Sequence, residues 1–119
     1  MKVGEIKDLL HASVLTESYN LDTDVSSAFC SDMMSNVLAY ANNKSILITG
    51  LYNAQVLRTA EMMGMACVVF IGRRDPDNAI IDLANDLGIC VLLTHFSMFT
   101  TCGILYTNGL NGGVPSESK

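Results

Sequence analysis

Cys67-Val68-Val69-Phe70-Ile71 runs into Gly72, and the same arrangement recurs on either side of it. Upstream, Ile46-Leu47-Ile48-Thr49 runs into Gly50; downstream, Ile89-Cys90-Val91-Leu92-Leu93 runs into Thr94. Gly50, Gly72 and Thr94 are spaced 22 residues apart (72 − 50 and 94 − 72). A short apolar run without alternation is the pattern of a strand buried on both faces. The gaps carry helical periodicity: Val56, Leu57, Ala60 and Met63 in the first, Ile80, Ile81, Ala84 and Leu87 in the second. Strands alternating with helices at this spacing are βαβ units. The pattern predicts an α/β domain, a three-layer α/β/α sandwich with a mostly parallel sheet, whose strands include Ser45–Thr49, Ala66–Ile71 and Ile89–Leu93.

Outward from this centre the pattern is less regular. Lys2 to Ala12 reads as an amphipathic helix, with Val3, Ile6, Leu9 and Leu10 on one face and His11 at its end, where a cation meets the dipole favourably. Ser13–Thr16 and Val25–Cys30 read as strands, separated by the polar loop Glu17–Asp24. Ser31-Asp32 is read as the cap of a helix whose apolar face is Met34, Val37, Leu38 and Ala41. Gly64 and Gly88 suit left-handed helix ends, and Pro76 suits a first helical turn. A last helix spans Phe96 to about Thr107. The domain is expected over 1–110, with a flexible tail over 111–119.

Composition narrows the function. The chain has 119 residues, half of them hydrophobic and 16% charged, which suits one globular domain. The net charge of −5 disfavours nucleic acid, whose phosphates need clustered Lys and Arg. No apolar run reaches the ~18 residues of a membrane span. The start, Met1-Lys2-Val3-Gly4-Glu5, lacks a secretory pattern, so the reading is cytoplasmic. Cys30, Cys67, Cys90 and Cys102 form no CxxC spacing and read as reduced, buried thiols. The seven methionines suit core packing or a dimer face.

Parallel strands direct their C-terminal ends to one edge, where open α/β sheets bind ligands and where helix N-termini favour anions. The candidate ligand-binding residues there are Ser31, Asp32, Thr49, Gly50, Asn53, Gly72, Arg73, Thr94 and His95. Arg73-Arg74 supplies guanidinium groups suited to a carboxylate or phosphate. P-loop, GxGxxG and GxSxG motifs are absent, and His11 and His95 are not spaced as a metal pair. No cofactor and no metal is therefore assigned.

The order of elements resembles the DRTGG domain family, with Val25-Ser26-Ser27-Ala28-Phe29-Cys30-Ser31-Asp32-Met33-Met34-Ser35-Asn36-Val37 leading into three βα units. Such domains are similar to the middle domain of bacterial phosphate acetyltransferases and the N-terminal domain of HPr kinase/phosphorylase. Ser31, Asp32 and Ser35 match the family's opening segment, and Gly64, Gly72, Gly88, Ile89, Thr94 and Phe99 match later positions. The residues that name the family differ. Its Asp-Arg pair falls on Tyr52 and Asn53, its Thr-Gly-Gly on Ile71, Gly72 and Arg73, and its Asp-Thr on Ser97 and Met98. The resemblance implies a non-catalytic regulatory or accessory module that binds a small anionic metabolite or a partner protein. A homodimer is expected. Two other readings stand beside it: a small enzyme using Asp32 or His95 as acid or base, and a purely structural dimerisation domain.

Overall fold

The computed structural model describes residues 1–17 and 20–113. In chain order the elements are α1 (Val3–Leu9), β1 (Ser13–Val14), β2 (Ser27–Cys30), α2 (Met34–Tyr40), β3 (Ser45–Thr49), α3 (Ala54–Met62), β4 (Cys67–Ile71), α4 (Asn78–Leu87), β5 (Cys90–Thr94) and α5 (Met98–Thr107). They build one five-stranded sheet in the order β1-β5-β4-β3-β2. Among the described residues β2, β3, β4 and β5 are parallel, and only β1 runs antiparallel, against β5.

This order follows from the crossovers. From β2 to β5 each strand adds on the same side of its predecessor, so right-handed connections place α2, α3 and α4 on one face. α3 packs between α2 and α4. Strand side chains alternate between the two faces. Leu47, Val68, Phe70, Val91 and Leu93 meet Val37, Val56, Leu57, Ala60, Ile80 and Ala84. On the opposite face, Ile46, Ile48, Val69 and Leu92 meet Val3, Ile6 and Leu10 of the α1 region and Leu105 of α5. Every residue of β3 and β5 is buried, which is why their sequences do not alternate.

The helix ends depart from the expected pattern in three places. The first helix stops at Leu9, and His11 takes a left-handed φ of 49°. There Ala12 N–H donates to Lys7 C=O and His11 N–H to Asp8 C=O, so His11 occupies a turn position usually given to Gly. Pro76 lies before α4, whose cap residue is Asp77, and Pro76 is buried there. Asp32 does not cap α2, because Met33 holds that position without a side-chain bond. Gly64 and Gly88 do take left-handed φ, 69° and 71°, as helix ends require.

Asn111, expected to open a tail, accepts a hydrogen bond from Ala28 N–H on the outer edge of β2. The remainder of that segment, 114–119, lies outside the described residues. Among the described residues no helix is long and apolar enough to cross a membrane. The expectation of buried cysteines holds for Cys67 and Cys90, whereas Cys30 is exposed and Cys102 partly so. Leu38 is also exposed rather than packed.

Candidate functional site: an arginine-lined cleft

The C-terminal ends of β3 and β4 open into a cleft of about 470 Å³ lined by Gly50, Tyr52, Ile71, Gly72, Arg73 and Arg74. Its floor is built by Tyr52. The Tyr52 hydroxyl donates to Ile71 C=O at 3.0 Å, and its ring lies on Phe70 with centroids 4.9 Å apart. The Arg74 guanidinium sits 5.5 Å from the Tyr52 ring centroid, a cation–π arrangement. Burial, with a contribution from Asp75, raises the Tyr52 pKa despite the opposing Arg74, so the phenol stays protonated and keeps its bond. Gly72 is fixed by its N–H donating to Thr94 C=O at 3.1 Å. A Cβ on Gly72 would collide with the Tyr52 hydroxyl, so the Tyr52 side chain crosses at this point only because residue 72 has none. Arg73 and Arg74 are exposed, and neither forms an ion pair among the described residues.

Behind Gly50 lies a second set of bonds. Asp32 Oδ1 accepts from Thr49 Oγ1 at 2.8 Å and from Gly50 N–H at 2.9 Å. Thr49 Oγ1 in turn accepts from Leu51 N–H at 3.1 Å. Asp32 therefore ties the turn after β2 to the exit of β3 and sets the course of the chain into the cleft.

The nine candidate residues separate into distinct groups. Gly50, Gly72 and Arg73 line the cleft, with Asp32 and Thr49 directly behind it. Ser31 Oγ is occupied by Met33 N–H, and Asn53 Oδ1 by Val56 N–H at the start of α3. Thr94 is buried, its hydroxyl donating to Leu10 C=O at 2.8 Å and accepting from Phe96 N–H. Its side chain joins β5 to the end of α1 and stands outside the cleft. His95 lines a separate hollow of about 340 Å³ with Leu10, His11, Ser13, Leu93 and Phe96. Among the described residues no group of three or more His, Cys, Asp or Glu is placed to hold a metal.

Tyr52 and Arg74 were not among the nine. The signal for Tyr52 was its place: it follows a strand-ending glycine at the position of the family's aspartate. Its reach across to Ile71 is a tertiary contact that local sequence does not encode. Arg74 was visible as half of an arginine pair, but only the fold shows which ring it covers.

The family model for the DRTGG domain matches residues 5–107. No curated protein matches the chain in sequence. Among solved structures, the chain is similar to the CBS and DRTGG domains of the regulatory region of Clostridium perfringens pyrophosphatase, complexed with the activator diadenosine tetraphosphate. That match has a TM-score of 0.73 and 19% identity, over 87% of this chain and 45% of the other, so the chain spans less than half of that structure. At this identity the likeness concerns the fold, and the five-stranded α/β architecture agrees with it. Because the family model covers most of its length, the chain belongs to the DRTGG domain family.

Proposed function

We propose that this protein is a non-catalytic regulatory or accessory module that binds a small anionic metabolite in the arginine-lined cleft. The observation that carries the reading is the pair of guanidinium groups, Arg73 and Arg74, which form no ion pair among the described residues and stand at the C-terminal edge of a parallel sheet. In a chain with net charge −5, two adjacent exposed cations without counter-ions among the described residues are a local exception that favours an anion. The family-naming positions support the same place. Tyr52 and the Ile71-Gly72-Arg73 segment stand where the family has its Asp-Arg and Thr-Gly-Gly residues, and all four line this cleft. The family's arginine is replaced by Asn53, a helix cap, while a guanidinium appears at Arg73. The cations of this cleft come instead from Arg73 and Arg74, just after the end of β4.

The regulatory part of the reading is supported by the matched pyrophosphatase region, which is regulatory and was solved with a nucleotide activator. A non-catalytic role is supported by the placement of the two candidate bases. Asp32 is engaged with Thr49 and Gly50, and His95 faces a different hollow. The module acts in the cytoplasm as a homodimer. The dimer is supported by exposed Met33, Tyr40, Met62, Phe99 and Tyr106, a large apolar display for a small domain.

The test is thermal shift and titration calorimetry with nucleotides, including diadenosine tetraphosphate, and with acyl phosphates. A charge-assisted contact contributes about 1.5–3 kcal/mol. Arg73→Ala is therefore expected to weaken binding roughly tenfold or more. Equal affinity in wild type and Arg73→Ala removes Arg73 from the site. No response to any anion transfers the function to the protein-binding reading.

A further inference from the structure

On the sheet face covered by α1 and α5, a hollow of about 320 Å³ opens between the end of β2 and α5. Cys30, the last residue of β2, and Cys102, on α5, both line it, together with Ile48, Leu105 and Tyr106. Seventy-two positions separate the two cysteines in the chain (102 − 30), yet the fold brings them together as neighbours on the wall of one hollow. Both reach solvent: Cys30 is exposed and Cys102 partly so. The other two cysteines form a contrasting pair. Cys67 and Cys90 are opposite one another on β4 and β5 and are wholly buried, so no reagent reaches them in the folded chain.

We propose that Cys30 and Cys102 are a thiol-exchange site that closes to an intramolecular disulfide with a low-molecular-weight disulfide such as oxidised glutathione. Burial and the neighbouring Cys102, with Asp32 adding to them, push the Cys30 thiol up to about 12. Cys30 therefore keeps its proton, and the first attack falls to Cys102, since the thiolate is the nucleophile. The Cys102 thiolate attacks one sulfur of oxidised glutathione. The glutathione S–S bond breaks, one glutathione leaves and takes up a proton, and a mixed disulfide remains on Cys102. Capping Cys102 removes the neighbouring thiol that helps to hold the Cys30 proton in place. Cys30 then releases its proton to solvent and attacks the Cys102 sulfur, and the second glutathione leaves. Two protein thiols lose two electrons and two protons, and oxidised glutathione gains both. The product joins the edge strand to the last helix across the mouth of the hollow.

The experiment treats the reduced full chain with oxidised glutathione and maps disulfides by mass spectrometry after non-reducing digestion. The expected product in wild type is a cross-link between the peptides of Cys30 and Cys102, formed within one molecule and reversed by dithiothreitol. Cys30→Ser is expected to accumulate glutathione on Cys102, because nothing resolves the mixed disulfide. A wild-type chain that retains glutathione on either cysteine without cross-linking overturns the proposal. So does a disulfide between molecules, or no reaction under conditions where unfolded chain reacts. The wild-type result decides the matter even where the serine variant fails to fold.

Discussion

Tyr52 and Gly72 form a coupled pair at the residue scale. The tyrosine spans the cleft to Ile71 C=O, and the bare Cα of Gly72 leaves it room. Tyr52→Phe removes one hydrogen bond and is expected to cost about 1 kcal/mol. Gly72→Ala displaces the hydroxyl and is expected to cost more, but less in the Tyr52→Phe background. A double-mutant cycle by urea denaturation measures this coupling, expected at about 0.5–3 kcal/mol; additive costs would mean that the ring moves aside freely. Asp32 gives a second test. Asp32→Ala leaves the buried Thr49 hydroxyl without its acceptor, which costs about 1–3 kcal/mol, whereas Asp32→Asn keeps an oxygen there and costs less. Thr101 is the converse case. Its hydroxyl is buried on α5 without a hydrogen-bond partner among the described residues. Thr101→Val keeps the shape and removes the unsatisfied group, so chemical denaturation is expected to show a gain of about 1 kcal/mol.

At the scale of elements, Gly88 isolates a purely conformational cost. Its φ is 71°, and an added Cβ would meet nothing within 4 Å. Gly88→Ala is therefore expected to lower stability by about 1 kcal/mol, through backbone strain alone. A much larger loss in thermal or urea unfolding would indicate a packing role that the open surroundings do not provide. This glycine was legible in advance because a helix end imposes a local rule. So were β3, β4 and β5, since burial on both faces removes alternation and the βα repeat sets the spacing. What escaped local reading was settled by tertiary contacts. Asp32 sits where a helix cap belongs, yet its carboxylate turns to Thr49 and Gly50 on the neighbouring strand. Thr94 ends a strand at the C-terminal edge of the sheet, yet its hydroxyl holds the end of α1. His11 reads as a helical residue, but β1 must start at Ser13, so the chain turns early through a left-handed residue. For the same reason the edge of the sheet could be found from sequence, while the choice among its polar side chains could not.

For the whole molecule, the exposed apolar side chains bear on assembly. Phe99 and Tyr106, at 88% and 74% exposure, are seven residues apart on α5 and so lie on one side of it. Light scattering at micromolar concentration is expected to give the mass of a dimer. Phe99→Lys is expected to shift that mass towards the monomer if this side of α5 takes part. A monomer in the wild type would count against the dimer altogether. A different consequence comes from where Met1 and Asn111, close to either limit of the described residues, are fastened. Met1 exchanges hydrogen bonds with Val25, its C=O accepting from Val25 N–H, while Asn111 C=O accepts from Ala28 N–H. Both residues are thus held beside the same short entry into β2, at positions three residues apart along it (28 − 25). A fold whose ends meet in this way can be spliced into a surface loop of another protein without stretching. A short linker from Gly113 back to Met1, with new ends opened at the exposed Asn43-Lys44 turn, is therefore expected to yield a circular permutant with native circular dichroism and cooperative melting.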